Sequence, residues 1–596
     1  MAALAFAPGL NSLAGIDARM TAIAKLERLE EEFEAIETRR KSNAVLMRAI
    51  KAWRKGELVR AGQLALEATE VDDENAKAFH VLAMALARMG HQHKALVTYE
   101  RAFALDPTDP ELLINLGLAA WNLELNAGAA KMFSLYIGAC PDSPLGYNNL
   151  GSVQSDMGEV DTAIETLRAA LYRMPQEAVL WNALATVLAE NGRVEESLVF
   201  YLESIRLDPT FSRLYHNIGY AYSHLGRLDE ALEAYDEGLA RATDPSERLE
   251  GRHSRAICLI GMGRIAEGFD EFEIRNDQRF RAYVHHMTKA PLWQGESLEG
   301  KRILIVGEQG LGDEFMFANV LPDLQAAVGE TGKLQIAVDP RLIPLFQRSF
   351  PDAEIGRYDD RTLIDKDGNK SLRFIPFAVE GAGDGAGADP DYWAPMGTPL
   401  RFFRRRIEDF RHEAFLIPDP ARVAEYRAEL MRFGPGPKIG VCWRSMMLGA
   451  KRAKYYSALD AWGPILKVPG AVFVNLQYGD CADEIARAGA LHGADIRRIE
   501  GLDLKNDIEG AAALSAALDL VLSAPTAAAA IAGSVGTETW FLTAGRTWPQ
   551  LGTDEYPWYR RSKVFSPAAF GGWDEMMPRV GEALALYVEG AKAKPL

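Results

Sequence analysis

Four prolines, Pro107, Pro141, Pro175 and Pro209, recur every 34 residues. The first closes the tetrapeptide ALDP and the last closes RLDP. A constant interval of this length implies one supersecondary unit repeated in tandem, each copy burying its apolar face against the next. Other columns keep the same register. Large residues stand at Phe79, Leu113, Tyr147, Trp181 and Tyr215, and three positions later come Leu82, Leu116, Leu150, Leu184 and Ile218. The next position is small: Ala83, Gly117, Gly151, Ala185 and Gly219. Farther on, Ala95, Ala129, Ala163, Ser197 and Ala231 precede Tyr99, Phe133, Leu167, Tyr201 and Tyr235. Large beside small at fixed offsets lets two antiparallel helices approach closely, with proline ending the second.

This pattern closely resembles the tetratricopeptide repeat. Degenerate copies at about 42–75 and 249–280 bring the array to about seven repeats over 42–280. A charged helical lead-in occupies 1–41, with Leu26, Leu29 and Phe33 at helical spacing. Such an array is expected to wind as an all-α superhelix whose concave face is lined by the first helix of each repeat. Asn115, Asn149 and Asn217 share one position in three repeats, and Ala183 interrupts the row. An amide both donates and accepts, so a ladder of them can hold a peptide backbone with little regard to its sequence. The repeat array of the O-GlcNAc transferases is similar in carrying such a ladder. These asparagines are therefore candidate acceptor-protein ligands, the plainer reading being a solvated row.

The second organising stretch is residues 301–318, KRILIVGEQGLGDEFMFA. Ile303, Leu304, Ile305 and Val306 read as a buried parallel strand. Gly307, Gly310 and Gly312 are expected to let the chain turn sharply and come close to a ligand. Asp313 and Glu314 follow where a helix begins, with charge that suits the positive end of its dipole. The glycine order is GxxGxG, not GxGxxG, and no Gly-Lys-Ser/Thr follows, so this is neither a dinucleotide fingerprint nor a P-loop.

Strand and helix patterns alternate from here to the end. A first lobe is expected over 301–400, with a second strand near 334–338, a helix near 341–350 and a mobile glycine-rich loop at 381–387. Residues 281–300 read as a junction. Residues 401–437, with the basic run 401–406 and Pro418, Pro420, Pro435 and Pro437, read as a crossover. A second lobe spans 438–596. It opens with the strand KIGVCW, continues through a strand ending at Gln477, and holds the element DIEGAAALSAALDLVL and the loop SAPTAAAAIAGSVG. Two α/β halves joined by a crossover imply a ligand in the cleft between them.

Charge and cysteine usage restrict the function. The 596 residues carry a net charge of −17, which disfavours sequence-independent binding to nucleic acid or to an anionic membrane. The longest apolar stretch, 511–533, is broken by Asp519 and Pro525 and reads as core, not as a membrane span. Cys140, Cys258, Cys442 and Cys481 are far apart, with neither CxxC spacing nor a nearby histidine cluster, so reduced thiols and a cytoplasmic location are expected. No basic segment precedes the apolar residues of the N-terminus, which is not read as a signal peptide.

RILIVGEQGLGDEFMFANVLPDL resembles the opening strand and loop of the heptosyltransferase-like GT-B glycosyltransferases, and KIGVCWRS resembles the first strand of their second lobe. DIEGAAALSAALDLVLSAPTAAAAIAGSVGTETWFL resembles their donor-side element. The expected fold is thus an all-α superhelical tetratricopeptide-repeat domain followed by an α/β GT-B domain of two Rossmann-like lobes. Repeats fused to such a domain resemble the bacterial protein-modifying transferases, in particular the flagellin glycosyltransferases of flagellated alphaproteobacteria. That resemblance implies an enzyme that binds flagellin through its repeats. It would transfer a nonulosonic acid, pseudaminic acid, from a CMP-activated donor to Ser/Thr hydroxyls. No metal and no cofactor beyond this nucleotide-sugar donor is implied.

One departure stands out. The family's Asp-Thr…His pattern reads Pro525-Thr526…Ala530 here, so the acid and the imidazole are missing. A donor with one phosphate and its own carboxylate is one explanation; a flagellin-binding scaffold or chaperone with a degenerate transferase domain is the other. A third reading, transfer to lipopolysaccharide, does not need a repeat array.

The transfer needs a base for the acceptor hydroxyl and positive groups for the leaving phosphate. Asp313 matches the Gly-Asp of the family loop and is the expected catalytic base, with Glu308 as an alternative carboxylate. Gly310, Gly312, Arg444, Ser445, Lys451, Arg452, Lys454, Gln477, Thr526 and Ala527 are the expected donor-binding residues. Trp548, Asp554, Tyr556 and Trp558 form a C-terminal cluster that reads as packing.

Overall fold

The computed structural model describes residues 13–365, 368–376, 389–410, 413–446 and 450–592. The glycine-rich loop at 381–387 and the first twelve residues lie outside the described residues. Close packing divides the chain into two units, 1–154 with 364–369, and 155–363 with 370–596.

In the first unit a long helix α1 (Leu13–Arg54) is followed by α2 (Leu58–Val71), α3 (Ala76–Arg88), α4 (Gln92–Leu105), α5 (Pro110–Asn122) and α6 (Asn126–Ala139). The end of α1 packs on α2, α3 on α4, and α5 on α6. Helix starts are chemically marked: Asn75 caps α3, Asp109 caps α5, and Pro110 stands at the first helical position, where its missing N–H costs nothing. The size columns interlock as the spacing implies. A Cβ on Gly117 would come within 2.5 Å of the Phe133 ring, and Phe133, Ala95 and Ala129 are fully buried. On the lead-in part of α1, Met20, Ile23, Leu26, Leu29, Phe33 and Ile36 are exposed. Helix α7 (Pro144–Asp156) spans the division.

The second unit continues with α8 (Val160–Arg173), α9 (Ala178–Glu190), α10 (Val194–Leu207), α11 (Ser212–His224), α12 (Leu228–Arg241), α13 (Pro245–Gly261) and α14 (Ile265–Phe272). Two parallel sheets follow. The first has strand order β4-β3-β2-β7, with β2 (Arg302–Val306), β3 (Lys333–Val338), β4 (Glu354–Arg357) and β7 (Tyr392–Pro395). The second has order β10-β9-β8-β11-β12-β13, with β8 (Lys438–Cys442), β9 (Val472–Asn475), β10 (Ile496–Arg497), β11 (Leu520–Ser523), β12 (Thr539–Leu542) and β13 (Ser562–Phe565). Ile303, Leu304, Ile305 and Val306 have no exposed surface, the condition of a strand covered on both faces. Burying each stabilises by roughly 2 kcal/mol.

The same strand order creates a switch point in each sheet. From β2 the chain goes outward through β3 and β4, then returns to the other side of β2 as β7. From β8 it goes outward through β9 and β10, then returns beside β8 as β11. Ligands of open parallel sheets lie beyond the strand ends at such points. The helices α15 (Leu311–Phe317), α16 (Leu321–Val328), α17 (Ile343–Ser349), α18 (Pro420–Met431), α19 (Ala482–His492), α20 (Ile508–Ala517), α21 (Ala527–Ser534) and α22 (Trp573–Lys592) cover the sheets.

Three features depart from the expected division at 280. The last repeats share one core with the sheets, in which Ile260, Phe269 and Phe272 pack with Phe315, Phe317 and Trp558. The junction contains a strand, β1 (Val284–His286), which pairs in parallel with β6 (Gly368–Phe374) through Val284–Ser371, His285–Leu372 and His286–Arg373. The basic run is not a solvated crossover throughout: Arg404 is buried, donating from Nε to Asn319 Oδ1 at 2.9 Å and from Nη2 to Asp323 Oδ2 at 2.7 Å.

Candidate functional site

A cleft of 440 Å³ opens where the strand ends of the two sheets meet. The loop after β2 contributes Gly310 and Gly312, that after β3 contributes Arg341, and that after β8 contributes Ser445 and Arg452. Lys505, before α20, joins them, and the loop after β11 contributes Pro525, Thr526 and Ala527. Arg341, Arg452 and Lys505 are its lining cations, Arg341 already donating from Nε and Nη2 to the two carboxylate oxygens of Asp339 at 2.9 Å each, and no carboxylate lines the cleft among the described residues. Helix α21 points its first turn here. Cations around the free N–H groups of a helix start suit an anion. The starts of α15 and α21 meet at this point: a Cβ on Gly312 would stand 3.8 Å from the Ala527 amide nitrogen.

A smaller pocket of 230 Å³ lies against the same wall, sharing Gly312, Pro525, Thr526 and Ala527 with the cleft. It is lined by Asp313, Ala530, Trp548, Tyr556 and Tyr559. The Gly310 N–H donates to Asp313 Oδ2 at 3.3 Å. Burial pushes the Asp313 carboxyl up to about 6, with the nearby Glu308 charge adding to the effect against the Gly310 hydrogen bond. A carboxylate poised there accepts a proton from a hydroxyl near neutrality. Ala530 brings no imidazole to this pocket, whose wall is aromatic through Trp548, Tyr556 and Tyr559.

The loop that carries Asp313 is held from beneath. The Glu308 carboxylate accepts from Arg275 Nε at 2.8 Å, from Arg275 Nη2 at 2.9 Å and from the Gly397 N–H at 2.6 Å. Burial raises its pKa, but the attraction and hydrogen bonds of Arg275 outweigh that and hold it below the usual carboxylate range. Glu308 is therefore a buried anchor with both oxygens engaged, not a second base. Glu314 is also buried, accepting from the Tyr358 hydroxyl and, at 3.3 Å, from the Asp339 N–H. Burial lifts it to about 7. The tight turn does not rest on the glycines. The left-handed residue is Gln309, at φ 61°, while the capping Gly310 is extended at φ −123°. Gly307 is required for another reason: a Cβ there would lie 2.5 Å from the Glu314 carboxylate.

Several expected donor ligands are engaged elsewhere. Arg444 donates from Nε to Glu484 Oε1 at 2.9 Å and from Nη2 to the Asp480 carbonyl at 2.9 Å, so it ties β8 to α19. Gln477 is a buried backbone clamp: Oε1 accepts from the Trp443 and Arg444 N–H groups at 3.1 and 3.0 Å, and Nε2 donates to the Arg444 carbonyl at 2.9 Å. Lys454 points to the repeats, donating to the Ala189 carbonyl at 3.1 Å. The side chain of Lys451 lies outside the described residues. Thr526 is buried, its hydroxyl 3.3 Å from that of Ser523. Arg341 and Lys505 line the cleft without belonging to any local motif, so the sequence does not announce them.

In the repeats each asparagine amide meets a neighbour. Asn115 Nδ2 lies 3.0 Å from His80 Nε2, and Asn217 Nδ2 donates to Asn182 Oδ1 at 2.9 Å. Asn149 Oδ1 accepts from Asn148 Nδ2 at 3.1 Å, and its own buried Nδ2 has no hydrogen-bond partner among the described residues. The preceding column supplies these partners through His80, Asn148 and Asn182, and a spacing of 35 residues marks the Asn115–His80 and Asn217–Asn182 contacts. Among the described residues no group of three or more His, Cys, Asp or Glu side chains is placed to hold a metal ion, and no helix is long and apolar enough to cross a membrane.

The tetratricopeptide-repeat family matches residues 76–119, 148–210 and 200–233. Protein FlbA of Caulobacter vibrioides is 39% identical over 561 residues, covering 94% of this chain and 92% of its own length. A solved tetratricopeptide repeat protein from Parabacteroides merdae is 16% identical over 39% of this chain and 93% of its own, with a TM-score of 0.35. YrrB, a repeat protein with an unusual peptide-binding site, is 21% identical over 32% of this chain and 97% of its own, with a TM-score of 0.24.

Proposed function

The chain belongs to the FlbA family, and from that premise we propose that it is a protein O-glycosyltransferase, resembling the flagellin glycosyltransferase FlmG in its layout. Its repeats bind flagellin, and its GT-B domain transfers a nonulosonic acid from a CMP-activated donor to Ser/Thr hydroxyls. One observation carries this reading: a cleft lined by Arg452 and Lys505, with no lining carboxylate among the described residues, shares the Gly312/Thr526/Ala527 wall with a pocket holding the raised carboxyl of Asp313. An anionic donor fits the first chamber and a hydroxyl acceptor the second. The acceptor oxygen bonds to the anomeric carbon as that carbon's bond to the CMP phosphate oxygen breaks. The hydroxyl proton passes to Asp313, and CMP leaves with the electron pair.

The Arg444–Glu484 ion pair, Pro525 and Ala530 favour a second reading, a flagellin-binding scaffold whose transferase domain has lost catalysis. The intact mass of flagellin co-expressed with this protein, with and without a nonulosonate pathway, separates the two. A gain of one or more nonulosonate units, lost in Asp313→Asn, is expected for the enzyme. Unmodified flagellin that still binds the repeats would leave the scaffold.

A further inference from the structure

A third cavity, of 350 Å³, lies between the last repeats and the second sheet, within the same unit. Helices α11 and α13 supply Tyr220, His224 and Ser254, and the segments after β12 and β13 supply Trp548 and Phe570. Its wall is aromatic with scattered hydroxyls. Arg546 is its one lining Lys or Arg among the described residues, and that guanidinium already donates to the Gly552 carbonyl at 2.6 Å. Burial pushes His224 down to about 4, so the imidazole is neutral near pH 7. This chamber therefore carries one lining cation, Arg546, on an aromatic wall, where the donor cleft gathers three.

The three cavities form a series. Trp548 lines both the repeat-side cavity and the Asp313 pocket, and Gly312 with Pro525, Thr526 and Ala527 lines both that pocket and the donor cleft. Resting on the function proposed above, we propose that an uncharged Ser/Thr-bearing segment of the acceptor protein enters through the cavity between α11, α13 and Trp548. Its hydroxyl then meets Asp313 from the side opposite the donor. The charge contrast fixes the direction. A nucleotide sugar meets three lining cations in the cleft and one, Arg546, in the aromatic cavity among the described residues, whereas a neutral peptide loses little solvation among the tyrosines and Trp548. Trp548 is a positioning residue on this route, set by its near-perpendicular packing on Trp558 at 6.0 Å.

Two measurements on the full chain test this. A photo-crosslinking p-benzoylphenylalanine at Arg546, exposed at the cavity wall, is expected to couple to purified flagellin at the segment that bears the modified hydroxyls. The cavity-filling Ser254→Trp is expected to raise the KM for flagellin at least tenfold while leaving the donor dissociation constant within twofold. Retained donor affinity also shows that the variant is folded. No crosslink from position 546 while flagellin remains bound, or a wild-type KM in Ser254→Trp, overturns the route. If the wild type transfers nothing, the proposed function falls and the crosslink alone decides: its presence supports the route for a scaffold's ligand, its absence removes it.

Discussion

His224 Nε2 lies 2.6 Å from the hydroxyl oxygen of Tyr455, which is itself 2.7 Å from the hydroxyl of Tyr220. A repeat helix is thereby bonded to the basic segment of the second sheet, with Arg452 three residues from the contact and lining the cationic cleft. Lys454 adds to it, its ammonium 5.4 Å from the Tyr220 ring centroid and 5.3 Å from that of Tyr455.

Tyr455→Phe is therefore expected to cost about 1 kcal/mol of local stability, because it leaves Nε2 of the half-buried His224 without its partner while Nδ1 keeps the Tyr220 carbonyl at 2.8 Å. Donor affinity should weaken several-fold as Arg452 loses its support. Lys454→Ala should act through the same contact, so the double variant falls short of the sum of the two singles. Donor titration of the four proteins checks this, and strict additivity would contradict it. The contact also depends on pH. The folded His224 titrates near 4, below its unfolded value, so its stability contribution is complete above about pH 6.5 and declines as pH falls toward 4.

Asp313→Asn is expected to lower the transfer rate by about 10²–10⁴. In the wild type kcat/KM should rise with pH through about 6, since the base must be ionised, and the variant should lose that limb. Stability should move the other way. Because burial raises the Asp313 pKa, ionising it opposes folding above the unfolded value near 4. The variant's thermal midpoint should therefore gain more at pH 7 than at pH 4. A lowered midpoint at pH 7 would mean that the carboxylate is structural.

Breaking the Arg275–Glu308 pair exposes the opposite balance. Both side chains are buried, so Arg275→Met leaves the Glu308 charge uncompensated and should cost about 3–5 kcal/mol in urea unfolding, whereas Glu308→Gln should cost less because Arg275 keeps Glu273 Oε1 at 2.7 Å. The double variant should recover part of that loss. Glu308 lies below the usual carboxylate range, so its contribution is present above the ordinary glutamate value and is lost as pH falls through its lower folded one. Unfolding midpoints between pH 3 and 7 show whether the wild type loses this increment and the variants do not.

What the sequence made legible was what neighbouring residues determine. The size columns predicted a close helix pair, and Gly117 does meet Phe133. The apolar run 303–306 marked a doubly covered strand. What stayed hidden depends on distant partners. Arg275 finds Glu308 across 33 residues, and Val284 finds Ser371 across a fold that no local periodicity announces. Arg444 and Gln477 stand at strand ends, where a side chain can turn to the cleft or back into the sheet. Glu484 and the Trp443 N–H decide that, and neither choice is local. GEQGLG invited a glycine turn, yet Gln309 takes the left-handed position.

Those loop glycines can be separated by one added methyl group. At Gly307 a Cβ would press to 2.5 Å on the Glu314 carboxylate, which is fixed by Tyr358 and the Asp339 N–H, so Gly307→Ala should cost about 1–3 kcal/mol through overpacking. At Gly310 the backbone is extended and the nearest atom, Asp313 Oδ2, is 3.8 Å away; at Gly312 the nearest is the Ala527 nitrogen, also at 3.8 Å. Alanine fits at both without strain, and both residues line the cationic cleft, so the added methyl group alters its wall. Gly310→Ala and Gly312→Ala should hold the wild-type thermal midpoint and weaken donor binding, and Gly307→Ala should lower the midpoint. Paired melting curves and donor titrations read the two effects apart. Wild-type donor affinity in both Gly310→Ala and Gly312→Ala would show that the donor does not approach this loop.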